Sequence, residues 1–177
     1  FKEVYFKSLI KLENQLYADF LVDVFRFQEG FLRFLVATKL GFNLPERITE
    51  TQGFWNKIER FDGGIIYKFL NQYRLNNGEQ LKFGQGFASR ILLMAILECY
   101  PQEFERLLEP LRQLNDYCEQ RNRCVHSFEG VSDLQDGDKI VKILRDILRQ
   151  KTAIPDNNSF NVLNSKICCL LAEFLQG

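Results

Sequence analysis

The chain predicts an all-α fold, a bundle of about six or seven helices, with room for one small β-hairpin near residues 73–83. Two features of composition and one of pattern carry this. Apolar side chains return at spacings of three and four along most of the 177 residues, which is the period of a helix burying one face. Hydrophobic residues make up 46% of the chain, with 17 phenylalanines, enough for a large aromatic core. Only four prolines interrupt the pattern. The length fits a single domain spanning 1–177.

Taken in order, Val4, Tyr5, Ile10 and Leu12 among charges predict a first helix over 2–14. A longer helix follows from about Leu16 to Leu40, where Phe20, Val24, Phe27, Phe31 and Phe34 make one face and Leu21, Phe25, Leu32 and Leu35 widen it. So broad an apolar surface predicts a helix covered on more than one side. Residues 41–64 are irregular around Pro45, Gly53 and Asp62-Gly63-Gly64, with a short helix at 54–60 in which Trp55 is core packing. A turn or two of helix at 65–72 leads to Asn77-Gly78, a turn signal between alternating residues, hence the hairpin. The apolar run 87–100 is long enough for a buried helix, ended by Pro101. A helix to about Leu108 comes next, and Pro110 kinks or restarts the chain. Asp138 is the expected N-cap of a helix to Gln150, and Ser159 that of a last helix with Phe160, Leu163, Ile167, Leu170 and Phe174 on its face.

Charge and cysteine usage exclude several function classes. Lys plus Arg and Asp plus Glu are both 23, so the formal charge is zero. A protein that holds nucleic acid by many phosphate contacts would be basic, so a local site is the alternative. The five cysteines are odd in number and lack metal-ligand spacing, and with a single histidine they do not read as a structural zinc site. Neither a metal nor another cofactor is therefore expected. Free thiols point to a reducing cytoplasm, and no apolar run is long enough to span a membrane. The chain opens at Phe1 and goes straight into patterned sequence, which suggests the C-terminal part of a longer protein.

The segment from Pro110 to Phe128 holds the sole histidine. Leu111, Leu114, Cys118 and Val125 form its apolar seam, and Arg121 stands where an apolar residue belongs. Burying a guanidinium even partly costs on the order of several kcal/mol unless an anion meets it. Asn122 and His126 lie four apart on a neighbouring face, above Asn115 and Glu119. From Arg121 to His126 the helix turns about 140° and rises roughly 7.5 Å, so one cleft is within reach of both. Guanidinium, amide and imidazole converge near one helix end.

Arg121-Asn122-Arg123-Cys124-Val125-His126 is an R-N-x-x-x-H string, and with it the chain resembles the HEPN domains, small helical bundles of which many are metal-independent ribonucleases. The likeness is strongest to the ancillary ribonucleases of type III CRISPR systems, where a sensor domain precedes the HEPN domain. This resemblance implies Arg121, Asn122 and His126 as catalytic residues. It also implies single-stranded RNA as substrate, a homodimer through the motif helix, and a cyclic-oligoadenylate sensor lying N-terminal to this fragment. HEPN domains often carry a polar or acidic residue facing the motif from the long second helix. Glu29 is the residue expected to support Arg121, the alternative being a local pair with Arg26 or Arg33. The chemistry fits the residue types. Imidazole moves protons near neutral pH, and the planar guanidinium holds non-bridging phosphate oxygens. Attack by the ribose 2′-hydroxyl would leave a 2′,3′-cyclic phosphate. With one histidine per chain, a two-histidine mechanism requires two subunits about a two-fold axis. Other readings are a non-catalytic HEPN module for dimerisation or nucleotide binding, and the HEPN toxin of a toxin–antitoxin pair.

Overall fold

The computed structural model describes residues 1–42, 52–84, 88–127, 134–151, 154 and 166, with side chains outside the description at 52 and 120–127. Seven α-helices are present among them: α1 (Lys2–Glu13), α2 (Tyr17–Leu40), α3 (Gln52–Arg60), α4 (Ile65–Gln72), α5 (Arg90–Glu98), α6 (Pro101–Ser127) and α7 (Gly137–Arg149). A 3-10 turn at Phe61–Gly64 joins α3 to α4. The described residues contain no strand, so the all-α expectation holds.

The wide apolar surface of α2 explains its place at the centre. It packs against α1, α5 and α6, and buries Phe20, Leu21, Val24, Phe27, Phe31, Leu32 and Leu35. Phe27 and Phe31, one turn apart, stack with ring centroids 5.7 Å apart. Helix α6 lies along α2 and takes α5 and α7 on its flanks, while α7 also meets α1. Gly137 lies close at that contact: a Cβ there would come within 2.7 Å of Leu12 Cδ1, and the leucine tip would have to move. Asp23 is buried at the α1–α2 seam, with Lys11 Nζ 2.7 Å from its Oδ2. Trp55 is core, packed edge-on against Phe54.

Several sequence-based boundaries move. Helix α6 runs through Pro110 without a break. The hydrogen bond that proline cannot make would have gone to the carbonyl of Arg106, an exposed residue that solvent can serve. Meanwhile the buried series Phe104, Leu107, Leu108, Leu111, Leu114 and Cys118 holds both halves on one axis. Helix α5 begins at Arg90 because Ser89 Oγ accepts the Leu92 N–H at 3.2 Å. Helix α7 has Asp136 at its N-cap and not Asp138, which lies in the first turn and acts there only through its charge. The hairpin is reduced to one antiparallel bridge, Arg74 to Gln80. Its tip is an Asn-Gly turn in which Asn77 Oδ1 accepts the Glu79 N–H and Gly78 has φ +82°. The helix expected from Ser159 lies outside the described residues.

Gly41 ends α2 in the left-handed region at φ +68°, and the Phe42 N–H returns to the Ala37 carbonyl at 2.9 Å. A Cβ there would meet nothing closer than Lys57 Nζ at 3.8 Å, so Gly41→Ala tests backbone strain alone. It should lower stability by about 1 kcal/mol in urea unfolding, with the slope of the transition unchanged.

Candidate active site

Arg121, Asn122 and His126 fall on the backbone of the last two turns of α6, which is helical to Ser127. Their side chains lie outside the described residues, as do those of Cys124 and Val125. The helix nevertheless fixes which stripe each position occupies. Asn115, Glu119, Asn122 and His126 lie within about 60° of one another around the axis, whereas Arg121 falls on the side of Leu114. The first three residues of the expected seam, Leu111, Leu114 and Cys118, are fully buried.

One turn before the motif, α6 is fixed by a buried amide. Gln28, on α2, has no exposed surface. Its Nε2 donates to the Leu111 carbonyl and to Asn115 Oδ1, each at 2.7 Å. Its Oε1 accepts from Arg90 Nη1 at 2.7 Å and from the Cys118 thiol at 3.1 Å. Both donors and the acceptor of the amide are thus satisfied, joining α2, α5 and α6. Arg90 reaches further, to Glu119 Oε1 at 3.0 Å, with its guanidinium over the Phe25 ring. A largely buried guanidinium met by a carboxylate does flank the motif helix, and among the described residues it is Arg90.

Glu29 pairs locally. Its carboxylate accepts from Arg33 Nη2 at 2.9 Å, one turn along the same helix, and both side chains are about one-third exposed. This is the alternative that the sequence left open for it. The polar residue that α2 turns toward the motif helix is its neighbour Gln28. A sequence signal for it existed. Val24, Gln28, Phe31 and Leu35 follow one four-three-four stripe, so Gln28 interrupts an apolar row just as Arg121 does on α6.

Beside this network lies an open groove of about 540 Å³ between the 73–81 hairpin, α5 and the outer face of α6. Tyr73 donates to Glu98 Oε2 at 2.7 Å, and Arg112 Nε to Glu98 Oε1 at 2.9 Å. Burial, with the carboxylate beside it, pushes the Tyr73 phenol up to about 12, so the phenol remains a donor at any physiological pH. Asn115 and Glu119 line the groove; Asn122 and His126 continue their stripe past its end. Among the described residues no helix is long and apolar enough to cross a membrane.

The architecture and the motif helix together define a helical HEPN-type domain. A family model described as the Cas_Csm6 HEPN domain matches residues 3–168, and the chain belongs to that family. Membership carries the general assignment of a HEPN ribonuclease in a CRISPR context. No curated protein and no solved structure shows a significant match.

The carboxamide and carboxylate neighbours on α2 predict losses of different size. Gln28→Leu strands the Arg90, Cys118 and Asn115 groups and should cost about 1–3 kcal/mol. Glu29→Gln loses only a solvent-facing pair and should cost less than about 1 kcal/mol. Equilibrium denaturation of the two variants makes the comparison.

Proposed function

We propose that the protein is a metal-independent endoribonuclease that cuts single-stranded RNA by attack of the ribose 2′-hydroxyl, with the active site shared across a homodimer. The observation that carries the reading is the unbroken course of α6 through Pro110 to Ser127, inside a chain of the Cas_Csm6 HEPN family. Such a helix presents Asn122 and His126 on one stripe and Arg121 about 100–140° around the axis, so one phosphate at the helix end is within reach of the three.

In this reading Arg121 grips the non-bridging oxygens and offsets the charge that builds on the phosphorane. His126 moves the proton, as base toward the 2′-hydroxyl or as acid toward the departing 5′-oxygen. Asn122 holds the phosphate or fixes the imidazole tautomer. One histidine cannot stand on both sides of the phosphorus at once, so the second proton transfer falls to His126 of a two-fold mate. The products are a 2′,3′-cyclic phosphate and a 5′-hydroxyl. The role is defence against invading nucleic acid, switched on by an N-terminal sensor of cyclic oligoadenylate. The cellular site is the cytoplasm.

Cleavage of unstructured RNA in excess EDTA tests this. Wild-type protein should cut and leave cyclic phosphate ends, and His126→Ala should be slower by about 10²–10⁴-fold with unchanged dimerisation. Absence of cleavage by wild type would leave a non-catalytic dimerisation or nucleotide-binding module. Cleavage that EDTA abolishes would remove the metal-free mechanism.

A further inference from the structure

The groove beside α6 has a composition that a phosphate would not enter. Its lining carries two guanidiniums, Arg90 and Arg112, against three carboxylates, Glu98, Asp116 and Glu119. Both guanidiniums are already matched: Arg90 by Glu119 at 3.0 Å, and Arg112 by Glu98 at 2.8 Å. One carboxylate remains in excess. Asp116 is exposed at the groove and makes no hydrogen bond or ion pair among the described residues. On the hairpin side, the Asn76 amide is also exposed and without a partner among the described residues. Between them the wall is apolar. Ile91 is 52% exposed, a large share for an isoleucine, with Met94 behind it and Leu75 on the hairpin.

Flat apolar walls, a free carboxylate and a free amide suit a neutral aromatic ring with hydrogen-bonding edges. They do not suit a chain of anions. We infer that this groove seats a nucleobase of the RNA near the scissile phosphate, and that Asp116 makes it prefer guanine. Guanine offers two adjacent donors, N1–H and N2–H, to one carboxylate, and no other RNA base does. A carboxylate repels the acceptor edge of uracil and finds only a single amino group on adenine or cytosine. Asn76 then meets the acceptors on the opposite edge. Along α6, Asp116 is six residues from Asn122, about 9 Å of rise. A stacked strand crosses that in two or three nucleotides at about 3.4 Å each, so the base read lies close to the cut. The inference rests on the ribonuclease reading of the same helix, and it gives a protein of zero formal charge a means of choosing sequence without broad backbone contacts.

The test is cleavage of a randomised RNA pool by the purified protein, with both ends of every product sequenced. Wild type should enrich guanine at one position within three nucleotides of the cut. Asp116→Asn, which keeps the shape and replaces an acceptor with a donor, should lower the guanine-to-adenine ratio there on the order of ten-fold. Asn76→Ala should lower the same ratio less. Ile91→Ala should raise KM for every RNA and leave the ratio intact. No guanine enrichment by wild type, or an unchanged ratio in a folded Asp116→Asn protein, overturns the inference while leaving the ribonuclease standing. If wild type cuts no RNA while remaining folded and dimeric, both fall together.

Discussion

A single buried carboxamide holds the working part of this molecule in register. Gln28 sits on the central helix at a position where its neighbours along the stripe are Val24 and Phe31, and it spends its hydrogen bonds on α5 and α6. An amide buried without partners costs more than it can return. The arrangement is therefore stable only when α6 presents the Leu111 carbonyl and Asn115, and α5 presents Arg90, at the correct height. Slippage of α6 by one residue would break the bonds that Gln28 makes to Leu111, Asn115 and Cys118. The motif turns begin a few residues further along that same helix, so the position of Arg121, Asn122 and His126 inherits its accuracy from Gln28.

Several charges on the central helices are matched locally. Arg90, Arg112, Arg33 and Lys11 each have a carboxylate within about hydrogen-bonding distance among the described residues. A chain of zero formal charge that acts on RNA, as proposed, must do so through a local site. On the proposed reading, affinity comes from a few groups at the helix end and from the base beside them, and not from a broad basic face. A site built this way is specific before it is strong.

Much of the fold was legible from periodicity. Helices α1, α2 and α4 stand within a residue or two of the positions their apolar spacing indicates, because tertiary burial and helical period agree there. Where they disagree, local signals mislead. Pro110 ordinarily breaks a helix, yet the six buried residues on either side of it outweigh one lost hydrogen bond. Asp138 has the right residue type for a cap, but α7 already begins at Gly137, with Asp136 at the N-cap. The hairpin tip was readable from Asn77-Gly78, whereas the shortness of its ladder was not, since nothing in the sequence says how soon α5 takes over. At the site, the stripe carrying Asn122 and His126 follows from spacing alone. The contact from α2 to the turn before the motif does not: charge draws attention to Glu29, which pairs with Arg33, while the residue that bonds Leu111 and Asn115 is the neutral Gln28 in an apolar row. A polar residue breaking a buried stripe is as informative when uncharged.

On the proposed mechanism, chemistry at the end of α6 uses the substrate's own hydroxyl and no metal. An RNA oligonucleotide that wild-type protein cuts at one place can be remade with a single 2′-deoxyribose on the 5′ side of that bond. Cleavage there should cease, while the strand still binds and competes with its parent. Continued cutting at the deoxy position would mean that water or a side chain attacks the phosphorus, and Arg121, Asn122 and His126 would not have the roles assigned to them.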